Sequence, residues 1–197
     1  MRVGGALVVP VMVLVVGCTP TTPSTTAPSM AAPTFLCTPE AGGAEAPCTQ
    51  QQYDQMKAKD AQYAEAEKVY RAYLQEYERV VRAGGATSLS SEFERLIGDD
   101  DLADSLLRQL RTFKSQGLRV EGKGAEIKTV TRQPGRTMNN SLLALEFCVD
   151  SSMASVFQGS KKLRVGAIAR ETAYFSLADR RLVMVAATHE EVKSCVD

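Results

Sequence analysis

Cysteine is the residue type with the most chemistry to offer in this 197-residue chain. There are five: Cys18, Cys37, Cys48, Cys148 and Cys195. Four can pair in three ways, and the fifth needs a fate of its own. The other candidates are one histidine, His189, a run of three aspartates, Asp99-Asp100-Asp101, and six tyrosines. A lone His excludes a multi-histidine metal site within one chain. The aspartate run lacks the alternating spacing, central Gly and terminal Glu of a calcium loop. It reads instead as cap and dipole stabilisation of a helix N-terminus. No nucleophile–base pair and no phosphate loop is visible, so no catalytic residue, metal or cofactor is expected. Lys+Arg and Asp+Glu both number 23. With no basic excess to neutralise a phosphate backbone, nucleic acid is not expected as a partner.

The first cysteine explains the odd count. Met1-Arg2 is followed by an apolar run from Val3 through Gly17, too short to span a bilayer, which takes about 20 residues. A positive start, a short apolar region and small residues at its end make a secretory signal peptide. It ends in Val15-Val16-Gly17-Cys18, which resembles the bacterial lipobox. That resemblance implies cleavage after residue 17 and a diacylglycerol on Cys18, with palmitate as a typical acyl chain. The mature chain of 180 residues then has 22 basic and 23 acidic side chains, net −1. Each buried CH₂ contributes about 0.8 kcal/mol, so the acyl chains on one Cys anchor firmly. The expected location is the extracytoplasmic face of the cell membrane.

Residues 19–36 are Thr, Pro, Ser and Ala with few apolar residues and no charge. Such a stretch cannot offset its ordering entropy and reads as a disordered spacer. The 30 residues from Thr19 to Cys48 span about 30 Å as a coil and about 90 Å as extended polyproline. The domain boundaries are therefore 1–17 signal peptide, 18–48 lipidated tether, and 49–197 one folded domain. Cys37 and Cys48 bracket a loop turned by Gly42-Gly43. An oxidising compartment favours a local disulfide, with a stabilisation of about 3 kcal/mol. Free thiols and zinc are the competing readings, and two Cys eleven apart with no His nearby make a poor zinc site.

The remaining elements must position whatever the domain binds. From Thr49 to Ala83 no Gly or Pro interrupts a helical pattern, and Gly84-Gly85 ends it. Met56, Tyr63, Tyr70 and Tyr77 fall seven apart. Ala66, Tyr73 and Val80 form a second row, widened by Val69, Leu74 and Val81. Glu67–Arg71 and Glu78–Arg82 sit four apart as candidate ion pairs. Five tyrosines on one helix suggest a stacking platform; packing on a sheet is the favoured reading. The polar segment from Lys57 to Gln62 is expected to project beyond the core. Ser91 and Glu94 fit a capping box, and Leu102, Leu106, Leu110 and Phe113 mark another helix that Gly117 closes.

Beyond Gly117 four strands are expected: Leu118–Gln133 with a bend at Gly122 and Gly124, Asn140–Ser151, Lys161–Leu177, and Arg181–His189. Their inward residues are Leu143, Leu145, Phe147 and Val149; Leu163, Val165, Ala167, Ala169, Ala173 and Phe175; Val183, Val185 and Ala187. Hairpin connections make an antiparallel curved sheet with helices on one face. That meander brings Cys148 and Cys195 to one edge. Flat strands two apart would hold them about 9.6 Å from each other, so the tail must curl inward to bridge them. The pairing expected is Cys37–Cys48 with Cys148–Cys195.

A long helix, a short helix, a third helix and a curved four-stranded antiparallel sheet together resemble the nuclear transport factor two-like cone, an α+β fold. The pattern Cys148-Val149-Asp150-Ser151 with a partner Cys195 is similar to that of small actinobacterial lipoproteins carrying this domain. The resemblance implies a pocket between sheet and helix, and in enzymes of the fold that pocket holds Asp, His or Tyr. Here the expected inward residues are mostly Leu, Val, Ala and Phe, and His189 reads as a rim residue. A non-catalytic binding or interaction module of the cell envelope is therefore expected. Its partner is a lipid or small apolar ligand in the pocket, or an envelope protein or second copy on the outer surface. The alternative to ligand binding is a filled core serving protein interaction or surface exclusion. A cavity of about 300 Å³ or more separates the two readings.

Overall fold

The computed structural model describes residues 34–196. The expected signal peptide, Cys18 and spacer residues 19–33 lie outside the described residues. The rest is α+β: a long helix packed against antiparallel sheets. Among the described residues nine strands form three sheets, where one four-stranded sheet was expected.

Helix α1 (Gln50–Arg82) starts where Thr49 accepts from the Gln52 backbone N–H while the Gln52 side chain accepts from the Thr49 N–H. This reciprocal capping satisfies two orphan donors. The helix ends because Gly84 and Gly85 both take positive φ. Gly85 is also a point of close approach, since a Cβ there would overlap the Leu110 carbonyl and the Phe113 side chain. Helix α2 (Ser91–Leu96) is capped by Ser90, not Ser91: the Ser90 hydroxyl accepts from Phe93 N–H and donates to Glu76 at 2.5 Å. Helix α3 (Asp100–Gln116) has Asp99 as its cap, with Asp100 and Asp101 in the first turn, and stops at left-handed Gly117.

Strands β1 (Phe35–Cys37) and β2 (Ala46–Cys48) form a hairpin closed by the Cys37–Cys48 disulfide, with Cα atoms 5.9 Å apart. Phe35 and Leu36, read as spacer, are therefore in a strand. The hairpin docks on the first half of α1: Phe35 lies 5.3 Å from the Tyr53 ring, and Tyr63 donates to Glu40 at 2.5 Å. Lys57–Gln62, expected to project beyond the core, contributes no buried core residue, but its charges are engaged by Glu40 of the hairpin and by Arg132. Lys59 lies 3.7 Å from Glu40, and Arg132 holds Asp60 at 2.7 Å.

The segment expected as one long first strand is two. Strand β3 (Leu118–Gly122) pairs with β6 (Ala154–Gln158), and β4 (Glu126–Arg132) pairs with β5 (Leu143–Asp150). Gly122 makes the break at φ 99°, where a Cβ would overlap the Met153 carbonyl. The segment expected as the third strand also splits, at Gly166-Ala167, into β7 (Lys161–Val165) and β8 (Ile168–Ala178). One sheet runs β4-β5-β8-β9, with β9 spanning Arg181–Val192, in the expected meander order. The second runs β3-β6-β7.

The core between α1, α2, α3 and the four-stranded sheet holds Tyr70, Phe93, Leu96, Leu110, Leu145, Phe147 and Phe175. Tyr70 stacks on Phe147 with centroids 3.7 Å apart at 11°. Three expectations are corrected. Leu163 and Val165 are exposed on β7. A bulge at Val185, between the Tyr174–Ala186 and Phe175–Met184 pairs, shifts the register of β9, so Leu182 and Met184 enter the main core. Val183 and Val185 instead join Ala144, Tyr174 and Ala186 in a second apolar cluster. Of the candidate helix ion pairs, Glu67–Arg71 forms at 2.6 Å. Glu78 does not meet Arg82; it accepts from the Ala125 backbone N–H, and Arg82 donates to the Gly122 carbonyl.

Past β9 the tail reaches Cys148, giving the Cys148–Cys195 disulfide with Cα atoms 5.6 Å apart. Alternation along β5 places Cys148 on the face opposite Phe147, so the tail closes over that outer face across β8.

Candidate functional site

Where α1 and α3 diverge from the two sheets, they leave a cavity of about 530 Å³. The split strands form its walls. Val120 of β3 and Ala154 and Val156 of β6 line one side, and Val149, Ala169 and Ala187 of the other sheet line the opposite side. Leu74 and Val81 of α1 and Leu106 and Phe113 of α3 close the helical side. Strand β7 forms a margin through Arg164 and Val165. An adjoining recess of about 350 Å³ shares Gln109, Phe113, Val156 and Arg164 with it.

One end of this apolar chamber is polar, and its centre is Glu171 on β8. Its register partner on β9 is His189. Both project to the core side of the sheet, because Ala169, Glu171 and Ala173 alternate with outward Arg170 and Thr172. Tyr70 donates to Glu171 Oε2 at 2.6 Å, and His189 Nδ1 lies 3.3 Å from Oε1. An imidazole with its proton on Nδ1 donates to that oxygen and leaves Nε2 as an acceptor. The Glu171 side chain is 25% exposed and that of His189 57%, so the pair faces the open end of the cavity. His189 is thus at the rim, as expected, and it is hydrogen-bonded to a carboxylate that the sequence reading did not single out.

The tyrosine row divides between two roles. Tyr63 and Tyr70 are buried in the core. Tyr73 and Tyr77 are half-buried and line the cavity, with their rings 6.4 Å apart and 21° from parallel. Gln109 donates to the Tyr77 hydroxyl at 2.9 Å. Burial first, and then the Glu171 carboxylate, pushes the Tyr70 and Tyr73 phenols well above their ordinary range. Burial also raises Tyr77, with Arg164 acting the other way. All three phenols are therefore neutral donors at physiological pH. Chemically the chamber offers an apolar body site, two phenol rings, a carboxylate held by one neutral donor, and an imidazole.

Cys37, Cys48, Cys148 and Cys195 lie away from this chamber and serve as the two bridges. Cys18 is outside the described residues. Among the described residues no group of three or more His, Cys, Asp or Glu side chains could hold a metal ion. No helix among them is long and apolar enough to cross a membrane.

Glu171 left a legible trace. In the alternating series Ala167, Ala169, Glu171, Ala173, Phe175 it is the one charged residue on the inward face. A charge at such a position is costly unless partnered, and that cost is the signal. No known protein family, curated protein or solved structure matches this chain.

Proposed function

We propose that this chain is a lipid-anchored extracytoplasmic binding protein, acting without catalysis. On this reading its cavity holds a small, largely apolar ligand at the outer face of the cell membrane. The diacylglycerol on Cys18 is the anchor, the Thr/Pro-rich segment is the spacer, and the domain belongs with the cone-shaped nuclear transport factor two-like lipoproteins. Support for the anchor comes from the sequence of residues 1–18. Support for the cone comes from the helix order and the meander β4-β5-β8-β9. The observation that carries the binding function is the cavity itself. At about 530 Å³ it exceeds the threshold that separates a ligand chamber from a filled core, and it falls within the usual range of about 300–1,000 Å³ for small-molecule sites.

A titration with the neutral apolar dye 1-N-phenylnaphthylamine tests this. One saturable site per chain, weakened by filling the chamber with Ala154→Phe, is the expected result. No saturable binding would favour the second reading, a protein-interaction or surface-exclusion role. That reading draws on β7, an edge strand whose Leu163 and Val165 are exposed.

A further inference from the structure

The cavity's polar end specifies more than an apolar ligand. Three carboxylates line the chamber, Glu78, Glu171 and Glu191, against one guanidinium, Arg164, and one imidazole, His189. Glu78 is engaged with the Ala125 backbone. Glu171 and Glu191 stand on the same face of the sheet, because Ala169 pairs with Glu191 and Glu171 with His189. The two oxygens of Glu171 are met by Tyr70 and His189, neither of which is a permanent cation. Tyr73 and Tyr77 present two further rings to the same space.

Each ligand class fares differently against these groups. An anionic head, such as a fatty acid carboxylate, would lie against Glu171 and Glu191 and be repelled. A wholly neutral, apolar ligand gains from the apolar wall but offers Glu171 nothing in place of the water it displaces, so it binds more weakly than a cation with the same body. A positively charged nitrogen gains twice: it meets a carboxylate, and it lies near ring faces whose quadrupoles attract cations. The apolar wall from Leu74 through Phe113 to Val156 then takes the rest of the molecule.

We propose that the cavity binds an amphipathic organic cation, its alkyl or aryl body against the apolar wall and its ammonium between Glu171 and the rings of Tyr73 and Tyr77. This rests on the cavity being a ligand site, and it adds the chemical class of the ligand.

Three probes built on linear chains of eight carbons, the carboxyl carbon included for the acid, test it: octyltrimethylammonium, 1-octanol and octanoate. Isothermal titration uses the mature chain (residues 18–197) carrying Cys18→Ser, so that it stays in solution without detergent. The cation should bind at least about ten-fold more tightly than either of the others. Glu171→Gln, which keeps the shape and the acceptor for Tyr70, should abolish that preference, bringing the cation down to the level of octanol measured on the same variant. Glu191→Gln, at an exposed position, should reduce the preference less. Octanol or octanoate binding as tightly as the cation would overturn the cationic class and leave the cavity reading standing. Binding of none of the three would overturn both. A preference that survives Glu171→Gln would overturn the placement of the ammonium. The comparison of the three probes decides the class by itself even if the Glu171 variant does not fold.

Discussion

Replacing Tyr70 separates packing from ligand reading on α1 more sharply than any other single change. The ring is 0% exposed and stacks on Phe147 at 3.7 Å, and its hydroxyl donates to Glu171 at 2.6 Å. Tyr70→Ala removes both interactions. Deleting a buried aromatic side chain costs about 3–5 kcal/mol. Each kcal/mol moves the melting temperature by about 2–4 °C in a domain of this size, so Tm should fall by about 6–20 °C. Tyr70→Phe keeps the ring and removes only the hydrogen bond. A bond to a charged group contributes about 1.5–3 kcal/mol. Glu171 is 25% exposed, so water replaces part of the lost donor and the value moves to about 1–2 kcal/mol. The assay is a pair of thermal melts followed by circular dichroism under non-reducing conditions. Both variants melting within about 0.5 kcal/mol of the parent would refute the packing role and reopen the stacking platform. A Phe variant as unstable as the Ala variant would shift the weight from the ring to the hydrogen bond.

Three further outcomes are expected. Cys18→Ala should leave an unprocessed precursor that takes up no radiolabelled palmitate; uptake equal to the parent's would contradict the anchor. Folded, unreduced protein should resist alkylation at Cys148 and Cys195, and replacing that pair should cost about 2–5 kcal/mol in a urea melt. Glu76 is buried, with Arg79 at 2.6 Å and the Ser90 hydroxyl at 2.5 Å, and the Arg79 hydrogen bond holds its carboxyl below the ordinary range of about 4.3. A lowered carboxyl stabilises the fold above the unfolded-state value, and that contribution is lost as pH falls through the folded-state value. Glu76→Gln should therefore cost about 1–3 kcal/mol at pH 7, and the difference from the parent should shrink as the pH is taken down through and below the ordinary carboxyl range. A constant difference between the two across that range would contradict it.

The helices were legible because their ends are written in single residues. Gly84-Gly85, Asp99 and Gly117 stop or start them where the pattern says. The second disulfide was legible because a meander brings its cysteines to one end of the sheet. The second sheet was not legible. Strand β6 has five residues, two of them polar, and reads as a connection between Ser151 and Gly159; only pairing with β3 makes it a strand. The face of β9 was lost for another reason. A one-residue bulge inverts which side chains point inward, and nothing local in Met184-Val185-Ala186 announces it. Ser90 rather than Ser91 caps α2 because Glu76, fourteen residues earlier, takes its hydroxyl, a contact that only tertiary structure supplies. The site was half legible. The tyrosine row and His189 stood out by type, but the splitting of two long strands is what opens the chamber. Glu171 joins the two sets only once β8 and β9 are in register.

Native mass spectrometry of the protein purified from its own membrane tests the central claim most directly. The account predicts a chain carrying acyl mass on Cys18 and, on gentle activation, one small non-covalent ligand released per chain. Loss of that ligand from Glu171→Gln, with the acyl mass retained, would tie it to the chamber. A bare acylated chain, or one that retains only a protein subunit, would contradict the account.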